Sequence, residues 1–553
     1  MSKSIIFTLL VLFSSVTQAS VIHPYLTERL PIVADDEMIK IIVHLKNQPD
    51  LSILPRDLSK EEKILFLKKY AQAEQANLLN DLTILSDDIS DIQTYWIFNG
   101  LSLNVTKRAI LSIAAHNDVD YVIHDFTIFT DLNKRNQEND LLVPGWNIKK
   151  IHADSCWNRG FNGAGIVIGN IDTGVDTTHP ALSGKYFPGG WFDAVNNRPY
   201  PYDDNGHGTF MMGVICGGDG NGPGVDDIGV APGARYICAK ALDSGGGGTA
   251  TALHACLQWF ATQRARVVNN PWSESADTSR EFWNDCLNLN NLGILPVFRI
   301  GSLGPQSRST MPPGNFPICT GVGATDSSDY VYSVSSRGPA PNRYPWNDTT
   351  YWMRRDWNLI KPDITAPGVN IRSSVRGGGY SVMSGTSPAT SHVTGAIAIL
   401  LQRDSTINIK TLYQIILDNA DHPSQGAPYP NNNYGWGRLN VYKALQSVAI
   451  ANKETKDRIA AGLQVYPNPF RDKVYIRFTA QGIQGKDFSL NIYDVSGRRV
   501  KGIIPLAGKN GLTNQLNWNG LDDLGRFLPQ GIYLIVLDTQ GYREIKKVML
   551  IRD

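Results

Sequence analysis

The stretch "IVIGNID", residues 166–172, is a nearly unbroken apolar run that ends on a carboxylate. Such a run suits a strand buried on both faces, as strands of parallel sheets are. Further apolar strand candidates follow in "ARYICAKAL", "ARVVNN", "GILPVFRI" and "CTGVGAT", with helical stretches between them. Residues 145–450 are therefore expected to form a three-layer α/β fold, a parallel sheet covered by helices on both faces. "HVTGAIAILLQ" is apolar all round and reads as a core helix. Sheets of this type place their chemistry beyond the carboxyl ends of the strands. Asp172 stands at such an end, and a carboxylate buried there needs a hydrogen-bond partner.

A chain of 553 residues is too long for one ordinary domain. Residues 1–19 read as an export signal, with Lys3 as the positive start, Ile5 to Phe13 as the apolar core, and Thr17 and Ala19 as the small residues of a cleavage site. That core is shorter than the roughly 20 apolar residues a membrane span needs. Within a leader spanning residues 20–144, residues 38–129 read as a small α/β unit. "MIKIIVHLK", "TYWIFNGLSLNVT" and "VDYVIHDF" are its expected strands, "KRAILSIAAH" is a helix, and a longer helix opens on a capping box formed by Ser59 and Glu62. The polar stretch "DLNKRNQEND", residues 131–140, suits an exposed cleavage site between about residues 130 and 145. A polar linker over 451–462 leads into residues 463–553, where short strands and turn signals predict an antiparallel β-sandwich.

Lys plus Arg number 52 against 51 Asp plus Glu, with no basic stripe, which argues against a nucleic-acid partner. The six cysteines (Cys156, Cys216, Cys238, Cys256, Cys286 and Cys319) fall between residues 150 and 320. Export permits disulfides, but most of these cysteines sit in apolar contexts, and free buried thiols fit equally well. None has metal-ligand spacing.

A partner for Asp172 is available in "DDNGHGTFMMGVICG", which offers His207 at the entry to an apolar helix. A carboxylate bonded to an imidazole makes a general base, and a base needs a nucleophile. "MSGTSPATSHVTGAIAILL" places Ser387 where a Gly-Thr turn enters the core helix, with Pro388 suited to the first helical position. A helix amino end also favours negative charge developing on a substrate oxygen. With "IDTGVDTTHP", "NGHGT" and "SGTSPATSHV" in the order Asp, His, Ser, residues 145–450 resemble the subtilisin-like serine peptidases. "GVAPGA", "MPPGNFP", "ITAPGV" and "GWGRLNVYKAL" extend the resemblance over the whole region. It implies peptide-bond hydrolysis, with Ser387 as nucleophile, His207 as proton shuttle and Asp172 as the residue that orients His207. It also makes residues 38–129 similar to the inhibitory, fold-assisting propeptide of that family.

Four departures from the family cluster around the implied cleft. Ser302, in "RIGSLGP", stands where the family has the Asn that helps bind the oxyanion. Arg299 replaces a small residue, and a charge there must be paired. Pro271 and Ser273 replace a Ser-x-Gly stretch that pairs with substrate as an added strand, and Pro271 has no N–H to give. Ser391 stands where the family has Pro. The readings to separate are an active endopeptidase with an altered oxyanion hole, a weak or inactive peptide-binding relative, and a hydrolase of small esters. No cofactor is required by the triad. A structural calcium ion is compatible with Asp203, Asp204, Asp226 and Asp227, which otherwise read as solvated loop acids. Trp272 suits either a specificity pocket or core packing, and "DSGGGGT" reads as a flexible surface loop beside the cleft.

The last segment carries "YPNPF" and "GIYL" and resembles the immunoglobulin-like tails of exported bacterial proteins. That group includes the C-terminal sorting domains of the type IX secretion system and the related domain of flagellar hook-capping proteins. The resemblance implies a secreted or cell-surface protein that meets outer-membrane secretion machinery. The expected partners are protein or peptide substrates and the chain's own propeptide.

Overall fold

The computed structural model describes residues 21–51, 54, 58–130, 145–218, 227–354, 358–448, 461–480, 488–495, 497–503, 513–539 and 543–552. The expected export signal, the polar stretch 131–140 and all but the end of the 451–462 linker lie outside them.

In the amino-terminal unit the elements are α1 (Pro24–Arg29), β1 (Ile39–Leu45), α2 (Lys60–Leu82), β2 (Ile89–Tyr95), β3 (Gly100–Val105), α3 (Lys107–Ala114) and β4 (Val119–His124). The strands pair antiparallel in the order β2-β3-β1-β4. The capping box is present: Glu62 N–H donates to Ser59 Oγ at 3.1 Å, and Ser59 N–H to the Glu62 carboxylate at 2.8 Å. "TYWIFNGLSLNVT" is not one strand, because the chain turns between Tyr95 and Gly100. Asn99, at φ 45°, takes the left-handed turn conformation that Asn tolerates. The core joins Ile41, Val43, Leu78, Leu103 and Ile110 to Leu26 and Leu30, which precede the expected unit.

The second unit runs β5 (Thr127–Phe129), α4 (Trp146–Lys150), α5 (Ala153–Trp157), β6 (Val167–Asp172), β7 (Tyr186–Asp193), α6 (His207–Cys216), β8 (Arg235–Lys240), β9 (Gly247–Thr249), α7 (Ala250–Thr262), β10 (Val267–Asn270), α8 (Trp283–Asn291), β11 (Leu295–Arg299), β12 (Thr320–Thr325), β13 (Ile364–Pro367), β14 (Ile371–Val375), β15 (Gly379–Met383), α9 (Thr386–Arg403) and α10 (Ile409–Asp418). Seven strands form an all-parallel sheet in the order β13-β12-β11-β10-β6-β8-β7. Strand order reverses at β6, so the crevice beyond its carboxyl end is the switch point where such sheets bind ligands. Both faces of β6 are covered. Ile168 joins the cluster of Val393 and Ile397 from α9, whereas a Cβ on Gly169 would lie 2.4 Å from Phe260 of α7. Helix α9 is buried from Thr386 to Leu401, as its apolar composition predicts.

Two expectations change here. The Gly-rich "DSGGGGT" is not a loose loop, since β9 pairs antiparallel with β5. That pairing also takes Thr127–Phe129 out of the small amino-terminal α/β unit, within whose bounds the sequence placed them. The cysteine question closes as well: all six thiols are free and buried. Burial pushes Cys156 and Cys216 up to about 12, which leaves them unreactive.

The remaining strands, β16 (Ala461–Tyr466), β17 (Val474–Ala480), β18 (Phe488–Asp494), β19 (Arg499–Ile503), β20 (Thr513–Trp518), β21 (Gly531–Thr539) and β22 (Arg543–Leu550), form antiparallel sheets β16-β17-β20 and β19-β18-β21-β22. Ile476, Phe478, Ile492, Ile535 and Val548 pack around Trp518 to make the core of this sandwich.

Below the main sheet, buried His254 of α7 lies 3.0 Å from Asp285 Oδ1 and 3.1 Å from Glu281 Oε1. Burial opposes its charge, yet Asp285 and Glu281 outweigh burial and hold the imidazole up to about 10. A folded-state value above the ordinary 6.5 stabilises fully below pH 6.5, and that stability is lost as pH rises toward 10. His254→Gln is expected to cost about 3 kcal/mol at pH 6.5, because it strands two buried carboxylates. Thermal melts across pH should show its gap from wild type narrowing by pH 10; a constant gap would contradict the charged-imidazole account.

Candidate active site

The partner that Asp172 needs is His207. Asp172 closes β6, His207 opens α6, and Asp172 Oδ1 lies 2.7 Å from His207 Nδ1. Both side chains are almost wholly buried. Thr173 N–H donates to the same carboxylate oxygen at 2.7 Å. With Nδ1 committed to Asp172, the ring presents Nε2 to the cleft. There it meets Thr130 Oγ1 at 3.1 Å.

Strand end and helix start are tied together by Asp203. Its Oδ1 accepts from Thr173 Oγ1 (2.9 Å), Asn205 N–H (3.1 Å) and Gly206 N–H (2.6 Å), and its Oδ2 from Thr209 N–H (2.9 Å) and Thr209 Oγ1 (2.6 Å). Thr173 Oγ1 in turn accepts from Gly208 N–H at 2.9 Å. The capping position of α6 is Gly206, at φ 101°, which has no side chain with which to cap. Asp203 does that work from three residues upstream. Glycine is also required at 174, where φ is 120° and a Cβ would lie 1.9 Å from Tyr202 O. Asp204 pairs with the buried Lys240 Nζ at 2.6 Å. Asp203 is therefore saturated by protein donors and is not a solvated loop acid, whereas Asp204, paired with Lys240 through one oxygen, stays about a third exposed. Asp226 lies outside the described residues, and Asp227 is buried.

Ser387 is the second residue of α9, which begins at Thr386. Pro388 is thus third rather than first, still among the positions whose N–H has no partner within the helix. The Ser387 hydroxyl donates to Pro271 O at 3.1 Å, and Thr130 Oγ1 lies 3.3 Å from the same carbonyl. Further along α9, Ser391 Oγ bonds back to Ser387 O at 3.2 Å and accepts from Asn269 Nδ2 at 3.3 Å. His392, not singled out in the sequence, has Nδ1 2.8 Å from Pro388 O and Nε2 2.7 Å from Asn147 Nδ2. Burial pushes it down to about 4, so it is a neutral strut between α4 and α9.

The segment from β5 to Thr130 runs into this constellation. Beyond the three paired residues, Thr130 N–H donates to Gly246 O at 3.0 Å. Ile128 and Thr130 are buried, while Phe129 between them is 63% exposed. On the other side, Arg299 Nη2 donates to Phe129 O at 3.2 Å and Arg299 Nε to Ser273 Oγ at 3.0 Å. Ser302 is half-buried in the loop after β11, where Thr386 Oγ1 lies 3.4 Å from Gly301 O. Trp272 is fully buried and edge-on to Phe282 and Phe298, a packing aromatic.

These side chains meet at the switch point of a parallel sheet, and sequence comparisons show which family the sheet belongs to. The family described as "Subtilase family" matches residues 163–437, and "Secretion system C-terminal sorting domain" matches residues 464–551. Subtilisin Savinase of Lederbergia lenta is 31% identical over 301 residues, 54% of this chain and 98% of that protein. The Thermophilic serine proteinase of Bacillus sp. (strain AK1) is 32% identical over 351 residues, 63% of this chain and 78% of that one. Bacillopeptidase F of Bacillus subtilis (strain 168) is 31% identical over 425 residues, 69% of this chain but only 28% of that much longer protein. The chain belongs to the subtilase family. It carries a secretion sorting domain, which marks it as a secreted or cell-surface protein.

Removing the Asp203 carboxylate strands the backbone donors of Asn205, Gly206 and Thr209 and frees Thr173. Asp203→Ala is expected to lower stability by about 2–4 kcal/mol, more than an exposed cap would, because the donors are buried. Urea unfolding measures this; a loss under about 0.5 kcal/mol, the range of ordinary surface substitutions, would contradict it.

Proposed function

We propose that the protein is a secreted serine endopeptidase made as a zymogen, with Ser387 as nucleophile, His207 as proton carrier and Asp172 as the group that orients His207. The observation that carries this reading is the buried 2.7 Å Asp172–His207 pair, with the hydroxyls of Thr130 and Ser387 meeting at the Pro271 carbonyl beside it. Ser387 Oγ bonds to the substrate carbonyl carbon while its proton passes to His207 Nε2. The oxygen left negative is stabilised by backbone N–H groups at the start of α9, with the Ser302 hydroxyl in the position of the usual Asn side chain. His207 then protonates the departing amine, and water releases the acyl group by the same steps in reverse. None of these steps needs a metal or an organic cofactor.

Before reaction, Ser387 must turn from Pro271, and Thr130 must leave His207. A chain with residues 127–130 in the cleft is therefore held off, which fits a leader (20–144) removed by cleavage after residue 130. The remaining segments take the roles of catalytic domain (145–450), linker (451–462) and sorting domain (463–553). The last of these engages outer-membrane secretion machinery.

Casein hydrolysis by the secreted protein tests the catalytic roles. Wild type is expected to cleave and Ser387→Ala not to. Ser302→Asn is expected to raise kcat, by up to the roughly 10²–10³ that loss of this donor costs a subtilisin, itself a member of this family. If all three are folded and none cleaves, the peptidase reading fails and a peptide-binding role replaces it. For the tail, a chain ending at residue 460 is expected to stay inside cells that export the full chain; equal export would reject the sorting role.

A further inference from the structure

The strand in the cleft is one of two places where the leader holds the helices of the second unit. By packing, the described residues of 49–68 belong to that unit, and with them the first turns of α2. Lys60 Nζ donates to Gln263 O, at the carboxyl cap of α7, and Lys63 Nζ to Asn291 O, on the last residue of α8, at 3.4 Å. Three residues apart on a helix, the two lysines share one face. The helices they reach are tied to each other by the buried His254–Asp285 pair. Helix α7 is thereby held at both ends. At its amino end β5 pairs with β9, whose last residue, Thr249, caps the helix; at its carboxyl end stands Lys60. We propose that Lys60 and Lys63 form a second, charge-dependent attachment of the leader, at the carboxyl ends of α7 and α8, and that this attachment keeps residues 127–130 in the cleft after the chain is cut.

A helix ends on carbonyls without intrahelical partners and on a partial negative charge, and a cation placed there stabilises both. Neither α7 nor α8 has a basic residue in its own last turn. Arg266, just past α7, is directed elsewhere, to Ser405 O and to Ile407 O at 2.6 Å, and its Nε only grazes Gly293 O at 3.5 Å. The cations at these two ends are therefore the leader's. On α2 itself the same lysines stand at the unfavourable end, because the first turn of a helix disfavours positive charge. Glu61 and Glu62 in that turn suit α2, whereas Lys60 and Lys63 suit the helices beside it. Both lysines are half-buried. Burial pushes Lys60 down to about 8 against the effect of Glu61 and with that of Arg266, so it is still an ammonium at neutral pH.

This attachment presupposes the peptidase reading and cleavage of the leader, so the test has two arms. In the first, wild type and the pair Lys60→Met with Lys63→Met are secreted from the full-length chain. Gel filtration follows the leader fragment that stays with the catalytic region, and the lag before casein hydrolysis is timed. Wild type is expected to keep its leader and its lag in about 0.1 M salt and to lose both in about 1 M, where charge interactions are screened. The Met pair should release the leader about tenfold faster in the lower salt and lose the salt dependence, and Lys60→Arg with Lys63→Arg should restore both. Lys69→Met, at an exposed position of the same helix, controls for charge alone and should match wild type. Equal retention by wild type and the Met pair, or slower release from the Met pair because burying the ammonium only costs free energy, would overturn the inference while leaving the peptidase standing. If no leader is cut, the second arm decides. In full-length Ser387→Ala, hydrogen exchange is compared at the last turns of α7 and α8, with β8 as the control for folding. The Met pair is expected to exchange about fivefold faster at both helix ends and unchanged in β8. Unchanged exchange at the helix ends rejects the attachment.

Discussion

One buried carboxylate sets the distance between a strand end and a helix start, and the cleft follows from it. Asp203 accepts from both sides of the gap, from Thr173 just past β6 and from the first turn of α6. Asp172 and His207 lie thirty-five residues apart in the chain. Their 2.7 Å contact depends on backbones that cannot drift, because neither side chain has slack. The Asp172 side chain is short and its peptide neighbours are locked into the sheet, with Ala241 and Leu242 N–H both donating to its carbonyl. A hydrogen-bonded clasp at this point is what holds the Asp172–His207 contact at a fixed geometry.

The distribution of buried charge separates support from chemistry. At the amino end of β13, Asp363 accepts from Arg354 (2.8 Å), Lys361 (2.6 Å), Tyr413 OH (2.7 Å) and Gly321 N–H (2.7 Å), all of them buried. Every lone pair there is met inside the fold, the condition under which a buried ionic cluster is tolerated. At the carboxyl ends of the strands the arrangement differs. Lys240 at the end of β8 is matched by Asp204 and by the Thr173 and Leu242 carbonyls. Arg299, at the end of β11, is aimed at a bound strand. The two ends of one sheet thus use the same residue types for different purposes, and position on the strand says which.

Much of this was legible from the residues. The apolar run into Asp172, the Gly-flanked His207 and the Gly-Thr turn before Ser387 each carry a local physical signature. Strands β8, β10, β11 and β12 also fall inside the segments the sequence singled out. What was not legible depended on partners remote in sequence. Asp203 looked like a surface acid because the donor that ties it to the sheet, Thr173, lies thirty residues upstream, although its other four donors are local. "GGT" looked like a loop because a strand of glycines has no side-chain signal, and its partner β5 lies well over a hundred residues upstream. Cysteine state was undecidable for the same reason, since pairing is set by tertiary neighbours. The split of "TYWIFNGLSLNVT" had a local cue, the Asn-Gly pair at 99–100, which the alternating apolar pattern on either side concealed.

The departures around the cleft make sense together once the bound segment is considered as a strand with two edges. On one edge it is held by backbone pairing to β9, which is nearly all glycine and so reads no side chains. On the other edge an ordinary added strand would be held by backbone as well. Here Pro271 has no N–H to give, and Ser273 is occupied by Arg299. The Phe129 carbonyl goes to the guanidinium instead. On this edge one buried side chain thus holds a backbone carbonyl, whereas a backbone ladder holds the strand on the other.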